Sequence, residues 1–372
     1  MNKPNQQLKV LLVGGYPPPY GGVTIHIQRL CQFLMDSGID TKVVTHISDN
    51  HLSLEKVPIL IYLYGNRLQK YFQLRRVLKN TDVQIVHFHA SVLDNLIVGG
   101  KSLVKLPKRS RKLLTIHSGK FIPAYHSRGF FYRLIVRRLL RSFDYLIAVN
   151  DNLKTFFVCE LGIDPQKVVL IPTYISPKNE TGRKINPLIE TRIKEIQSSS
   201  GFTVLISGYG FDYYGYDLFL DAIDRIQKTN KVEIGLIFVF YTQFDPIYKA
   251  HLSKRIQCYK HHLILENLET LDFLEILNRV NLLVRPTLMD SYGVTVAEAL
   301  SLGTPVIASD VCQRPSGTIL VKTGDRTDLS EKMEYVINNY SEIRKQIENI
   351  KPQEYGQDIL NFYENILLKG ID

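Results

Sequence analysis

The stretch RPTLMDSYGVTVAEALSLGTPVIASD, Arg285 to Asp310, sets two carboxylates, Asp290 and Glu298, eight residues apart in an otherwise apolar setting. Asp290 falls in a loop after the apolar run NLLV. Glu298 falls on a short helix that is apolar on both sides and should be buried. An ionised carboxylate in that position needs partners. Two adjacent hydroxyls of a ribose would satisfy both of its oxygens, and Asp290 is placed to hold hydroxyls of an attached sugar. Equally, Asp290 can cap the helix and Glu298 can pair with a basic residue. Between them Gly293 permits close backbone approach, and the N–H groups around Val294 and Thr295 open the helix, where an anion such as a diphosphate is favoured. Spacing alone does not choose between these readings.

Two further stretches carry chemistry. GGYPPPYGG, Gly14–Gly22, joins a first apolar strand to a first helix, so Gly21 and Gly22 stand where a phosphate can approach free N–H groups. The same residues also suit a tight turn stiffened by proline. The run is not GxGxxG, and no acidic residue ends the second strand, VVTHIS, which counts against a nicotinamide enzyme. His117 in LLTIHSGKF lies just past a strand end, and His87 and His89 end the strand before it in IVHFHA. An imidazole there can hydrogen-bond a substrate hydroxyl or serve the structure. No Asp or Glu joins these histidines at ligand spacing and no DxD motif occurs, so no metal is expected.

The elements that must position these residues follow from hydropathy. LKVLLVGG, TKVVTHIS, VQIVHFHA, KLLTIHS, YLIAVN and VVLIP read as buried strands, with helices between them such as Val23–Ser37 and Phe130–Arg141. Alternation of this kind gives a parallel sheet covered on both faces. Pro172–Asn186 reads as a linker, after which the pattern restarts with FTVLISGYG, IGLIFVFY, HLILEN, NLLVRPT and TPVIASD. The fold class is α/β: two Rossmann-like doubly wound domains, with ligands outside the carboxyl ends of the strands in an interdomain cleft. The boundaries are 1–176, 177–354 and a terminal helix, 355–372.

Composition narrows the setting. The 372 residues are 45% hydrophobic and 22% charged, which is globular. No apolar run reaches the roughly 18 residues of a membrane span, and the start, MNKPNQQLKVLLVGG, is too polar and then too short for a signal peptide. Cys31, Cys159, Cys258 and Cys312 are scattered, as expected in a reducing cytosol. Net charge is +10, and residues 1–172 hold 24 Lys/Arg against 10 Asp/Glu. Three clusters carry this excess: Arg67, Lys70, Arg75 and Arg76; Lys101, Lys105, Lys108, Arg109, Arg111 and Lys112; and Arg128, Arg133, Arg137, Arg138 and Arg141. Interleaved aromatic and aliphatic residues make peripheral binding to an anionic membrane surface the expectation. No RNA- or DNA-binding motif accompanies the charge, so nucleic acid is not an expected partner.

Taken together the stretches resemble a GT-B glycosyltransferase of family 4. DSYGVTVAEALSLGTPVIASD is similar to that family's E-x7-E signature, with Asp290 in the first acidic position and Glu298 in the second. GGVTIHIQRLCQFLMDSGIDTKVVT, VQIVHFHAS, LLTIHSGKF, AVNDNLKTFFVCELGIDPQKVVLIPTYIS and ILVKTGDRTDL resemble further family segments in the same order, over essentially the whole chain. The resemblance implies transfer of a hexose-type sugar from a UDP- or GDP-linked donor with retention and without a metal or other cofactor. It implies that Glu298 binds the donor ribose and Asp290 the donor sugar. Tyr292, Gly293, Val294 and Thr295 reach sugar and phosphate, Gly21 and Gly22 meet the diphosphate, and His117 lies near the transferred sugar. The terminal helix returns to the first domain.

One departure stands out. The family carries an Arg and a Lys-Gly pair after the first strand of the second domain, whereas this chain reads SGYGFDYYGYDLF, with Tyr209 and Tyr214 in those places. Arg285, Arg314 and Lys322 are the nearest substitutes for the lost cations. The expected activity is synthesis of a bacterial surface polysaccharide (O-antigen of lipopolysaccharide, capsule or exopolysaccharide) on a lipid-linked glycan acceptor, at the inner face of the cytoplasmic membrane. A nucleotide-sugar epimerase of the same architecture and a non-catalytic nucleotide-sugar- or glycan-binding partner subunit are the alternatives.

Overall fold

The computed structural model describes residues 8–46, 59–91, 93, 110–177, 185–229 and 232–368, which form two compact units. The first unit comprises Met1–Pro18, Val23–Ile175 and Glu354–Asp372, and the second comprises Pro19–Gly22 and Ser176–Gln353.

The first unit runs β1 (Lys9–Val13), α1 (Gly22–Asp36), β2 (Asp40–His46), β3 (Leu60–Leu63), α2 (Arg67–Asn80), β4 (Ile85–Ala90), β5 (Arg111–Ile116), α3 (Phe121–His126), α4 (Phe130–Leu140), β6 (Tyr145–Ala148), α5 (Asp151–Thr155) and β7 (Val168–Leu170). Its seven strands are parallel, in the order β3-β2-β1-β4-β5-β6-β7. The apolar runs are buried on both faces, which is why they read as continuous rather than alternating. One face packs against α2, α3, α4 and α5 through Leu74, Leu78, Phe121, Val136, Leu139, Leu140 and Leu153. The other packs against Ile27, Leu30 and Leu34 of α1. Strand order reverses direction of growth between β1 and β4. The Gly14–Gly22 turn and His89 lie at their carboxyl ends, where open α/β sheets hold ligands. The short β3, in KVPILIYLY, was not anticipated from the sequence; four residues beside a proline give little periodicity to read.

The second unit runs α6 (Pro187–Ser199), β8 (Phe202–Gly210), α7 (Tyr216–Thr229), β9 (Ile234–Phe244), α8 (Pro246–Ile256), β10 (His262–Glu266), α9 (Thr270–Arg279), β11 (Leu282–Arg285), α10 (Val294–Ser301), β12 (Val306–Ser309), β13 (Ile319–Val321), α11 (Arg326–Asn338) and α12 (Tyr340–Glu348). Its six parallel strands are ordered β10-β9-β8-β11-β12-β13. The reversal lies between β8 and β11, so Tyr209 and the loop after Arg285 stand at the corresponding ligand position of this sheet. Pro187 and Pro246 occupy first turns behind the capping side chains of Asn186 and Asp245, which start α6 and α8 at those residues.

The last helix, α13 (Gly356–Leu368), belongs to the first unit. Ile359, Leu360, Tyr363 and Ile366 repeat at helical spacing and join the core around α1. The Tyr355 N–H donates to the Tyr174 carbonyl at 2.9 Å, fixing its entry. Inside, the Tyr363 hydroxyl lies 2.6 Å from Nδ1 of buried His87. Tyr363→Phe should therefore leave a buried imidazole nitrogen unpaired and lower the stability of the first unit by about 1–3 kcal/mol. Denaturant titration followed by near-UV circular dichroism measures this; an unchanged midpoint would show that the hydrogen bond contributes nothing.

Candidate functional site

At the end of β11 the backbone leaves the sheet through Pro286–Gly293 and enters α10. Gly293 makes that entry possible. Its φ is 83°, in the left-handed region, and a Cβ there would stand 2.5 Å from Nη1 of Arg314. Having no side chain, Gly293 cannot cap α10; the Val296 N–H donates to the Gly293 carbonyl at 2.9 Å, and the N–H groups of Val294 and Thr295 before it are left to a ligand or solvent. One turn further in, Glu298 is 4% exposed. It lies close enough to Tyr241 on β9 that its charge adds to the effect of burial in raising the pKa of that phenol.

Asp290 is held by two arginines. Its Oδ2 accepts from Arg285 Nε at 2.7 Å and from Arg314 Nη1 at 2.8 Å, and its Oδ1 accepts from the Ser291 N–H at 2.9 Å. Burial would raise the Asp290 pKa, but the two guanidinium groups outweigh it and hold the carboxyl well below the ordinary carboxylate range. The arginines differ. Arg314 is 1% exposed in its side chain. Its Nε donates to the Ser309 carbonyl and its Nη1 to Asp290 and the Tyr292 carbonyl. Its Nη2 donates to the Thr287 and Ser309 hydroxyls. All five guanidinium donors are spent on the protein, so Arg314 is a strut between the end of β12 and the 286–293 loop. Arg285 spends Nε on Asp290 and rests 5.9 Å from the Tyr214 ring centroid. Lys322 is exposed, and its backbone N–H donates to Asp328. Of the three cations that the sequence offered as substitutes, Arg285 is the one on the ligand side of the β8–β11 reversal with guanidinium nitrogens beyond its ion pair.

Tyrosines fill the places of the missing Arg and Lys. The rings of Tyr209 and Tyr214 are 5.9 Å apart, Tyr213 and Tyr214 5.0 Å, and Tyr209 and Tyr241 6.4 Å. Burial raises the pKa of each, that of Tyr213 to about 12. They therefore present neutral hydroxyl donors at neutral pH, not charges. Within the second unit, which includes Pro19–Gly22, a Cβ on Gly21 would run into the Tyr209 hydroxyl. Gly21 is thus required by that close approach; Gly22 begins α1 with open space around it.

In the first unit the histidines converge. His89 at the end of β4 and His117 just after β5 share a hydrogen bond, Nδ1 to Nε2, of 2.9 Å. His26 on α1 joins them, with ring centroids 5.4 Å from His89 and 4.9 Å from His117. Its Nδ1 lies 2.7 Å from the Thr173 carbonyl. A carbonyl only accepts, so Nδ1 carries the proton and Nε2 the lone pair. One nitrogen from each of the three rings lies within 4.8 Å of the others, with no carboxylate in the group among the described residues. Burial drives all of these pKa values down: His26 to about 4, His87 to about 3, His89 and His117 well below the usual 6.5. At neutral pH the cluster is uncharged. His26 escaped the sequence reading because it sits inside the apolar stripe of α1, where a lone histidine gives no signal; only the return of Thr173 beside it reveals the cluster.

Two family models match the chain: Glycosyltransferase Family 4 over residues 20–179 and Glycosyl transferases group 1 over residues 201–339. The GPI3 subunit of phosphatidylinositol N-acetylglucosaminyltransferase of Saccharomyces cerevisiae is 21% identical over 320 residues, covering 81% of this chain and 67% of that protein. An uncharacterized glycosyltransferase of Methanocaldococcus jannaschii is 22% identical over 357 residues, covering 91% of this chain and 90% of that one. Among solved structures, a glycosyltransferase of Rickettsia africae aligns with a TM-score of 0.73 at 15% identity over 97% of this chain and 99% of its own. HepE of Anabaena, solved with UDP and glucose, aligns with a TM-score of 0.68 at 14% identity over 98% and 99%. The chain belongs to the family 4, group 1 glycosyltransferases and has their GT-B fold.

Two outcomes follow from the charges. Arg314→Ala should cost about 3–5 kcal/mol, the scale for removing one partner of a buried ion pair; a denaturation midpoint within error of wild type would rule out the strut. For the histidines, the folded pKa values lie below the unfolded value of 6.5. Above that pH neither state is protonated and stability is full. Below it only the unfolded chain takes up protons, so stability falls as pH drops from about 6.5 toward 4. The slope should reach about 1.4 kcal/mol per pH unit for each histidine so held. Chemical denaturation at pH 7, 6 and 5 measures it, and a flat profile would contradict a neutral cluster.

Proposed function

We propose that this family 4 glycosyltransferase moves a hexose-type sugar from a UDP- or GDP-linked donor to a lipid-linked glycan, with retention and without a metal. The product would be a bacterial surface polysaccharide: O-antigen, capsule or exopolysaccharide. The observation that carries the reading is the buried carboxylate of Glu298 on α10, one turn behind a helix start that Gly293 leaves uncapped. A nucleoside diphosphate fits that pair of features, with its ribose hydroxyls on the carboxylate and its phosphates at the first-turn N–H groups. The UDP and UDP-glucose in the HepE structures support a nucleotide-sugar donor. The phosphatidylinositol in the name of the yeast relative supports a lipid acceptor. Transfer to such an acceptor would place the protein peripherally on the inner face of the cytoplasmic membrane.

Departure of the nucleoside diphosphate builds negative charge on its phosphates, and stabilising that charge is the main electrostatic task of the site. Here the task would fall to Arg285, the Tyr209 and Tyr214 hydroxyls and the start of α10. Retention without a carboxylate nucleophile would proceed by attack on the face the diphosphate leaves, with a donor phosphate oxygen taking the acceptor's proton. His117, neutral because it is buried, would orient the sugar through hydrogen bonds. Asp290, already ion-paired, would shape the sugar pocket and hold Arg285 in position.

The tyrosines in place of two cations favour one second reading, a partner subunit that binds nucleotide sugars without transferring them. The experiment is thermal-shift and calorimetric screening against UDP- and GDP-sugars, followed by transfer assays with polyprenyl-diphosphate glycans. A donor should raise the melting temperature by mass action. Glu298→Ala should weaken free UDP or GDP by about 2–3 kcal/mol, as for loss of hydrogen bonds to a charged group. Undiminished nucleotide affinity in folded Glu298→Ala would sink the assignment of the ribose site. Tight donor binding with neither transfer nor donor hydrolysis would favour the binding-subunit reading.

A further inference from the structure

Among the described residues of the first unit, most of the exposed large apolar side chains lie on the helix layer opposite α1 and α13, with Met35 of α1 and Leu368 of α13 standing apart from them. They are concentrated on α4, where Phe130 is 67%, Phe131 79%, Leu134 51% and Ile135 46% exposed. Residues i, i+1, i+4 and i+5 share one helical face. The opposite face of the same helix buries Val136, Leu139 and Leu140 in the core, so α4 is apolar on both sides although only one is used by the fold. On the same layer α2 exposes Leu68 and Phe72. A soluble surface seldom keeps four neighbouring large apolar side chains in water without a use for them.

The charges around α4 say what would cover it. From residue 95 to residue 143 the sequence contains twelve Lys/Arg and no Asp or Glu. Some of these arginines are occupied. Arg137 Nε donates to the Leu161 carbonyl, and Arg141 Nη2 to the Leu161 and Gly162 carbonyls. Arg128 lies over the Tyr132 ring at 5.2 Å. Arg138 is exposed, and Arg133 is half-buried beside Leu134. Arg111 and Lys112 of the second basic cluster enter β5, while Lys101, Lys105, Lys108 and Arg109 lie outside the described residues. A protein partner would need a matching acidic patch around an apolar groove. An anionic bilayer supplies both components on any approach: phosphates for the guanidinium groups at headgroup depth and acyl chains for the phenyl rings just below.

We propose that α4 is an interfacial docking helix that lies flat on an anionic lipid surface, with Phe130 and Phe131 inserted and Arg133 and Arg138 on the headgroups; this rests on the membrane-bound acceptor of the proposed function. Insertion is shallow. The helix is eleven residues long, and no described helix is long and apolar enough to cross a membrane.

The chain contains no Trp, so Phe131→Trp places a single reporter on the docking face. Its emission should shift to the blue when the full-length protein meets phosphatidylcholine vesicles containing phosphatidylglycerol at low salt. The shift should vanish in phosphatidylcholine alone or at high salt. In co-sedimentation with the same anionic vesicles, Arg133→Ser with Arg138→Ser should reduce partitioning about 30-fold, the contribution of two basic residues near such a surface. Phe130→Ser with Phe131→Ser should reduce it about tenfold or more. Each variant is checked by its thermal melt and by UDP- and GDP-sugar affinity, which should match wild type because α4 lies outside the donor residues. Vesicle binding that is unchanged in both double variants, or that leaves the Phe131→Trp emission unmoved, overturns the docking helix. Self-association that Phe130→Ser with Phe131→Ser abolishes overturns it in favour of a second copy as occupant. Loss of donor binding by the wild-type chain would instead count against the transfer reading and leave the docking result standing.

Discussion

The ion cluster at the end of β11 and β12 is the constraint on which the candidate site of the second unit depends. Arg314 commits every donor it has to the protein, and one of them reaches Asp290 beneath the turn at Gly293. That turn aims the start of α10, and α10 carries Glu298. A buried carboxylate tolerates its position only while both cations hold it, so the loop has little freedom to move without breaking a charged network. The first acidic position of the signature is therefore part of the frame that fixes the second. Aspartate suits this role: its short side chain brings the carboxylate to the arginines directly above the loop.

The tyrosines change how such a site meets a diphosphate. Two cations would bring charge, whereas Tyr209 and Tyr214 bring polarisable rings and neutral hydroxyls held protonated by burial. Two arginines against one aspartate still leave an excess of one positive charge in the cluster, and Arg285 carries the part of it that is not locked away. Its guanidinium beside the Tyr214 ring joins the cationic and aromatic parts into one arrangement. A site built this way would offer a phosphate directed hydrogen bonds and less net charge than one built from an arginine and a lysine.

In the first unit the corresponding feature is an absence of charge. Four buried histidines from α1, β4 and the end of β5 pack ring against ring: His89 and His117 hydrogen-bond each other, His26 meets the Thr173 carbonyl, and His87 meets Thr115 and Tyr363. Desolvation is the first cause of their lowered pKa values, and each neighbour adds to the cost of a proton on the next. Neutral imidazoles suit the orientation of an uncharged sugar, and they link the ligand end of the sheet to α13 through His87 and Tyr363.

Local sequence determined a great deal. Apolar runs of strand length separated by amphipathic helices dictate two parallel sheets, because a strand buried on both faces has no polar side to show. The carboxylates of the signature, the glycines before α1 and the histidine after β5 were all legible as residue types out of place in their surroundings. β3 and β13, four and three residues long, were too short to carry a period. Tertiary structure decided the partners. His26 meets Thr173 across 147 positions and His87 meets Tyr363 across 276. Arg314, which from its place in the chain could serve a phosphate, is turned inward onto Asp290. Such pairings are settled by which strand ends come together, and the order of strands in a sheet is set by the packing of helices on its faces, a long-range property that no local pattern of residues encodes.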